Sequence, residues 1–471
     1  MATNRVGVSA RRGDPEERWA YGRSRRRRVA REAQAAWRAG AERPQPVAVL
    51  KSANLERIPE LVALKTFRMA ASPFGFFRGA APIMAADLAT LPASGLHTQI
   101  CGDAHVRNLG AYAAPDGHLV FDLNDFDETT VGPWEWDLKR LAASLVLAAR
   151  EAGARARTGR EAVAVLVRSY REGLRRLARL TALDLLRVEV RRPFDSKVLH
   201  PVLVKAERVT NAYALRKLTV RARGGGLRFH DRLPLLYHVP ARAAKAVVES
   251  LRSYRDTLGP DRQLAFDAYR PVDVAFKVVG TGSVGTRDFV VLLLGRGRED
   301  PLLLQVKEAL SSCYAPYLPD LPLSPHQGRR VAEGQHRMQS ETDPLLGWTS
   351  IHGRDFIVRQ LADHKAGLDP ADLLDDALVS YALVSGEVLA KAHARTGDAA
   401  AIAGYCGRSD KLDRAVTRFA VAYADQTEQD HARLVAAIKA GEVEAASEFR
   451  LGREWHRIPE GRTDGGAPTP L

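Results

Sequence analysis

Two short clusters between Gln99 and Arg140 gather carboxylates, amides and a histidine. The first holds Gly102, Asp103, His105 and Asn108. The second holds Asp122, Asn124, Asp125, Asp127 and Glu128. Acidic and amide oxygens suit a hard divalent cation such as Mg2+. They are also turn formers, but there are more of them here than one turn uses. Between the clusters lies Pro115-Asp116-Gly117, a turn sequence, flanked by Leu109 to Ala113 and His118 to Leu123. This predicts a hairpin, which would return both clusters to one edge.

A second stretch with chemical potential lies far along the chain. Asp273 to Val279 alternates as a strand, and Gly280-Thr281-Gly282-Ser283-Val284-Gly285 follows. A dinucleotide fold would put a helix after such a segment. Here Phe289 to Leu294 and Leu302 to Lys307 read as two further strands. Strand, glycine loop, strand is the layout of a kinase-type phosphate lid, and Lys307 then stands where it would meet nucleotide phosphates. A plain hairpin with an edge lysine has the same local pattern.

The elements that must position these groups follow from periodicity. Residues 50 to 72 carry helical spacing up to Ser72-Pro73, after which comes FGFFRG. Arg78 in that segment suits an anion contact or an arginine stem packed on phenylalanine rings. Asp137 opens a helix, with Trp134 and Trp136 expected in the core around it. Gly159 to Leu186 and residues 240 to 258 are helical. Gln327 to Ser340 is a helix that carries Glu333. Asp355 to Leu361 is a strand. Ala371 to Arg395 and Asp410 to Lys439 are long helices. His393, near the end of the first of these, reads as a capping cation. Arg359 receives no role.

Length and composition bound the rest. The chain has 471 residues, 45% hydrophobic and 27% charged, ordinary for a large soluble protein. No apolar run of 18 residues occurs, so no membrane span is expected, and no signal peptide is read. Cys101, Cys313 and Cys406 are too scattered for a disulfide framework or a zinc site, which points to the cytoplasm. The net charge is +14. The first 50 residues hold 12 Arg against 5 Asp or Glu, including the run Arg25 to Arg28. This favours a solvated, loosely ordered arm over a nucleic-acid-binding one, since it lacks interleaved aromatics.

The motifs resemble a known group. G-D-x-H-x-x-N, a hairpin, D-F-D-E and then G-P-x-x-W-D-L are similar to the aminoglycoside and choline phosphotransferase branch of the protein-kinase-like fold. Cys101 stands where that branch has a histidine. Over residues 50 to 440 the chain also resembles a bacterial domain-of-unknown-function family numbered 2252. The stretches that carry this are SPFGFFRG, CGDAHVRNLG, FDLNDFDET, GPWEWDLKRLAASL, VGTGSVGTR, LQVKEA and LAKAHARTGD. That second resemblance carries no activity.

The first resemblance implies an α+β, two-lobed, circularly permuted kinase-like fold, with a small antiparallel sheet lobe and a larger helical lobe. The expected divisions are an arm over 1–45, a helical lobe with the catalytic and metal loops over 46–265, and a nucleotide-binding β-rich lobe over 266–365. Completing helices follow over 366–451, and a flexible tail over 452–471. It implies an ATP- and Mg2+-dependent phosphotransferase acting on an unknown hydroxyl. Asp103, His105 and Asn108 form the catalytic segment. Gly280, Gly282, Ser283, Gly285, Lys307 and Glu333 bind nucleotide, with Glu333 holding Lys307. Asn108, Asp122, Asp125 and Asp127 are the metal candidates. Counting back from Asp137 favours Asp125, and counting forward from Asn108 favours Asp122. The competing readings are a non-catalytic nucleotide-binding regulator, a metal-dependent hydrolase built on Asp103, His105, Asp122 and Asp125, and a nucleic-acid binder.

Overall fold

The computed structural model describes residues 13–191, 196, 199–208, 211–221, 225–297, 300–322, 324–361 and 366–454. The expected tail beyond 454, the first 12 residues and Lys365 lie outside them. The chain is α+β, mostly helical, with small antiparallel sheets. Among the described residues, no helix is long and apolar enough to cross a membrane.

The largest sheet has six antiparallel strands. Their order is Gly347–Ile351, Arg354–Gln360, Pro301–Glu308, Asp288–Leu294, Arg270–Lys277 and Leu236–His238. Side chains alternate across it. Leu302, Leu304 and Val306 pack with Val291, Phe356, Val247 and Tyr254 in one core cluster, which includes the helix Ala241–Arg255. Leu303 belongs to a second cluster with Val290, Leu292 and Phe229. Lys307 has the same parity as Leu303 and Gln305, so it is displayed away from the helix-backed core. Its register partners are Asp288 and Ile357.

The acidic hairpin forms as expected. Leu109–Ala113 pairs with Leu119–Leu123, and a two-residue strand, Ala366–Gly367, adds to its edge. The Asn124 N–H donates to the Asn108 carbonyl at 3.0 Å, which extends the ladder by one step. The ends carrying the two clusters therefore meet. Behind the hairpin, the largest core gathers the helices Trp134–Glu151, Ala156–Leu177, Asp376–Thr396 and Lys411–Lys439. Trp134 and Trp136 are buried there.

Several expectations shift. Residues 50 to 72 form two helices, Pro46–Ala53 and Pro59–Ala70, because Pro59 cannot sit in a helix interior and instead starts a new one. FGFFRG is itself the helix Pro73–Gly79, capped by the Ser72 hydroxyl, which accepts from the Gly75 N–H at 3.0 Å.

The larger correction concerns the basic arm. From residue 13 to 45 it is docked, not loose. Pro15–Ser24 is a helix. Arg25 donates to the Ser94 carbonyl at 2.7 Å, and Arg26 to those of Gly404 and Tyr405. Arg31 reaches the Cys406 carbonyl at 3.1 Å. Arg43 bridges Asp87 and Asp430, and all three side chains are at most 8% exposed. The arginines serve here as hydrogen-bond donors to the carbonyls ending a helix, a geometric task for a planar fork.

Arg43→Ala would strand two buried carboxylates. It is expected to destabilise the protein by about 3–5 kcal/mol, measured by denaturant unfolding. Deleting residues 1–45 is expected to lower the melting temperature more than that single change does.

Candidate active site

The loop at 101–108 is fixed by its backbone. Asp137, in the first turn of the helix Trp134–Glu151, accepts from the Cys101 N–H at 2.8 Å and the Gly102 N–H at 2.9 Å. Gly102 has φ +82°, and a Cβ there would stand 2.4 Å from the Glu128 carbonyl oxygen. Glycine is thus required for both conformation and space. The Tyr314 hydroxyl donates to the Gly102 carbonyl at 2.7 Å. His393 is buried, not an exposed cap. Its Nε2 lies 3.3 Å from Asp137 Oδ2, and its Nδ1 lies 2.8 Å from the Tyr170 hydroxyl.

Asp103 projects from this loop. One oxygen, Oδ1, accepts from Arg140 Nε at 2.6 Å. The other, Oδ2, lies 3.7 Å from His105 Nε2. His105 Nδ1 accepts from the Arg107 N–H at 3.2 Å, so the neutral ring carries its proton on Nε2, facing Asp103. Burial pushes the His105 pKa down to about 3, so the ring is neutral at physiological pH. Asn108 donates from Nδ2 to the Asp103 carbonyl at 2.7 Å, leaving its own Oδ1 as an acceptor. Arg140, three residues after Asp137, was not singled out in the sequence. Its only signal is a place one turn along the same helix.

The second cluster divides. Asp122 is fully buried and ion-paired to Lys391, and it accepts from the Ser340 N–H at 3.0 Å. Its oxygens are engaged in joining the hairpin to the helix Asp376–Thr396. Asp125 and Asp127 turn the other way, toward the six-stranded sheet. Lys307 Nζ is ion-paired to Asp127 Oδ2. The Ser283 hydroxyl donates to the same oxygen at 3.1 Å. The Asp127 N–H in turn lies 3.4 Å from Asp125 Oδ1. Asp103, Asn108, Asp125, Asp127, Ser283 and Lys307 are thereby brought to one region.

Electrostatics at this meeting point are unbalanced. Burial and the adjacent Asp127 charge raise the Asp125 pKa. Burial would do the same to Asp127, but the Lys307 charge outweighs it and lowers the Asp127 pKa. Lys307, only 2% exposed, would be lowered by burial, yet Asp127 and Asp125 together raise it. Arg359, left without a role by the sequence, adds its charge to both carboxylates.

Two neighbouring, half-buried carboxylates, of which only Asp127 is in contact with Lys307, leave room for a cation. Mg2+ is commonly held by one or two carboxylates together with substrate phosphates. Asp125, Asp127 and the free amide oxygen of Asn108 fit that donor set. Among the described residues there is no group of three or more His, Cys, Asp or Glu placed to hold a metal without such help.

The glycine segment joins Arg270–Lys277 to Asp288–Leu294, as expected of a strand–loop–strand hairpin. Arg68 donates to the Gly280 carbonyl, Arg57 to that of Val284 at 2.7 Å, and the Ile58 N–H to that of Gly285 at 2.7 Å. The carbonyls are thus held from outside. Among the described residues, nothing accepts from the N–H groups of Gly280, Thr281, Gly282, Ser283 or Gly285. Successive unpartnered backbone N–H groups in a turn are the raw material of an anion-binding concavity.

Glu333 does not reach Lys307. Its carboxylate holds Arg329 at 2.6 Å and Arg337 at 2.7 Å. It lines a groove of about 830 Å3 whose walls include none of Asp103, Asp125, Asp127 or Lys307. The helix Gln327–Met338 instead acts through Arg330, which the sequence did not flag. Arg330 donates to the carbonyls of Asp127 at 2.8 Å, Leu310 at 2.8 Å and Thr129 at 2.5 Å, so it fixes the backbone of the acidic loop.

A family model described as an uncharacterised protein conserved in bacteria (DUF2252) matches residues 57–437. No curated protein and no solved structure matches the chain.

Asp288 offers a measurable signature of the charge balance. It is 2% exposed and accepts from Gln305 at 2.7 Å, and burial raises its pKa from 3.8 to about 6. Between those values the folded state binds more protons than the unfolded state, so stability falls as pH rises through the window. Asp288→Asn is expected to leave stability unchanged at pH 4 and to raise it by up to about 3 kcal/mol at pH 8, measured by chemical denaturation.

Proposed function

This chain belongs to the DUF2252 family, and from that premise we propose that it is a kinase-like phosphotransferase that uses ATP and Mg2+ to phosphorylate a hydroxyl acceptor. The observation that carries the reading is the double contact on Asp127. Lys307 and Ser283, from the glycine hairpin, meet one carboxylate of the acidic loop, 180 and 156 residues away in sequence. A nucleotide spanning a phosphate lid and a metal-binding carboxylate needs those two segments together.

The roles follow from the atoms at hand. The free amides of Gly280 to Ser283 and Gly285, with the Lys307 ammonium, bind phosphate oxygens. Asp125, Asp127 and Asn108 hold Mg2+, which would neutralise phosphate charge. Asp103, fixed by Arg140 through Oδ1, presents Oδ2 to the acceptor hydroxyl and orients or takes its proton. Neutral His105, its Nε2 3.7 Å from Oδ2, stands beside that carboxylate without a hydrogen bond to it. Positioning and charge neutralisation supply most of the rate in such chemistry.

In ordinary kinases the glycine loop precedes the catalytic loop. The opposite order here is accounted for by circular permutation, since a site depends on geometry and not on chain order. The kinase-type partner of the lysine is a glutamate on a neighbouring helix. In this chain Asp127 pairs with Lys307, and the helix supports the acidic loop through Arg330.

Against the hydrolase reading, Asp122 is ion-paired to Lys391 and accepts from the Ser340 N–H, away from Asp125 and Asp127. The nucleic-acid reading loses Arg25 and Arg26, which are bound to backbone carbonyls.

Calorimetry with Mg-ATP tests the proposal. Lys307→Met is expected to weaken binding by about tenfold or more, near 1.4 kcal/mol. Equal affinity in a folded variant would remove Lys307 from the phosphate site. Asp103→Asn is expected to keep ATP affinity and lose about 10²–10⁴-fold in turnover. Asp125→Asn should shift the Mg2+ titration of nucleotide binding to higher concentration; an unshifted titration would strip Asp125 of its metal role.

A further inference from the structure

Arg78 lies on the helix Pro73–Gly79, one residue after Phe77. The Phe77 ring lies under Arg140 at 4.3 Å, and its carbonyl accepts from Arg140 at 3.0 Å. The Arg78 carbonyl lies beneath the glycine segment, where a Cβ on Gly282 would stand 3.4 Å from it. Arg78 thus has the Asp103–Arg140 pair on one side and the glycine segment above. Asp103 and Asp125 are the two carboxylates whose charges act on it.

Neither carboxylate closes on it. Among the described residues, no carboxylate oxygen comes within 4.0 Å of its guanidinium, and no acceptor takes a hydrogen bond from its five N–H groups. Its Nε is enclosed and still without a partner. Burial and the nearby Arg107 charge lower its pKa to about 10, so it stays charged at neutral pH.

The Nε–H of Arg78 is enclosed without an acceptor, and such an unmatched donor is costly unless something else supplies one. The neighbouring arginines make the contrast. Arg57 holds a loop carbonyl, Arg330 holds three, and Arg140 holds Asp103. Each has a structural task visible in its partners, and Arg78 has none. A planar fork on which the charges of both the metal-side Asp125 and the acceptor-side Asp103 act, with neither closing on it, matches a group with several oxygens, which is what a phosphoryl group in transfer is.

We propose that Arg78 is a catalytic residue that binds the terminal phosphoryl oxygens of ATP during transfer. The proposal rests on the phosphotransferase reading. In that step the bond from the acceptor oxygen to phosphorus forms and the bond to the bridging oxygen of ADP breaks. The hydroxyl proton passes to Asp103, and ADP leaves with the bridging oxygen and its electron pair. Arg78 stays protonated throughout and stabilises charge on the moving group.

The test compares two nucleotides by calorimetry in the presence of Mg2+: ADP and the β,γ-imido analogue of ATP. Wild type, Arg78→Ala and Arg78→Lys are each measured, together with melting temperature and ATP turnover. Arg78→Ala is expected to lose about tenfold or more of its affinity for the ATP analogue while keeping ADP affinity within about twofold. Arg78→Lys, which keeps the charge and loses the fork, should recover part of the binding and little of the turnover.

Equal losses on both nucleotides would assign Arg78 to the architecture of the cleft and overturn the proposal. Unchanged binding of both, with turnover lost and the acceptor KM unchanged, would confine the contact to the moving group and support the proposal, whereas a raised acceptor KM would place an anionic part of the acceptor on Arg78 and overturn it. Unchanged binding and unchanged turnover would remove Arg78 from the site. A wild type that binds neither nucleotide would overturn the phosphotransferase reading itself, an outcome distinct from the others.

Discussion

The ion pair between Lys307 and Asp127 fixes how the sheet and the acidic loop stand to one another. Lys307 is almost fully enclosed, so its charge has little water to fall back on. Removing Asp127 would leave the enclosed Lys307 charge without its contact partner, which is destabilising, whereas Asp127, 32% exposed, could turn to water if Lys307 were removed. The pair therefore constrains geometry whatever its net contribution to stability. Ser283 accepts the same constraint through its bond to Asp127, and so the glycine segment cannot drift from the acidic loop without stranding a polar group.

The rest of the architecture holds the two sides of that pair still. On the loop side, Asp137 takes two backbone N–H groups while Tyr314 and Arg330 engage carbonyls. His393 and Tyr170 then orient Asp137 from two other helices. The chain His393–Asp137–Gly102 ties the end of the helix Asp376–Thr396 to the loop bearing Asp103, although 290 residues separate His393 from that loop. On the sheet side, period-two alternation sends Leu304 and Val306 to the core and leaves Lys307 facing the carboxylates. Burial decides which strand face is which, and the site inherits its aim from that decision.

What the sequence made legible were features whose cause is local. Pro115-Asp116-Gly117 specifies a turn wherever it sits, and the flanking strands follow. The alternation from Asp273 onward and the glycines at 280–285 specify a hairpin in the same way. Where the partner is distant, local pattern has no grip. Glu333 was assigned to Lys307 by analogy of order, yet Arg329 and Arg337 lie four residues to either side of it, and such neighbours on one helix face meet readily. The arginines of the N-terminal segment were read as solvated because composition carries no hint of their acceptors. Those acceptors are carbonyls near residue 405, at the end of another helix. Asp122 and Asp125 were indistinguishable by spacing, since each fits a count from one end of the motif. The strand pleat separates them by sending Asp122 to Lys391.

Two lysine–aspartate pairs, Lys391–Asp122 and Lys307–Asp127, stand in different surroundings. Lys391 meets a single carboxylate, Asp122, and the pair is 1% exposed on both sides. Burial dominates there, and the Lys391 pKa falls despite its partner. Lys307 is as deeply enclosed, yet its pKa rises, because the Asp127 and Asp125 charges outweigh burial there. The surplus is Asp125, whose own pKa is raised by burial and by Asp127. A fold that needed only a strut would gain by losing Asp125, since like charges held together in low dielectric oppose folding. Its presence costs stability, a cost that the proposed cation would offset. The pairs also differ in exposure: Asp122 is sealed together with Lys391, whereas the Asp127 side chain stays 32% open beside Lys307, so only the second pair has a carboxylate that a group outside the fold can reach.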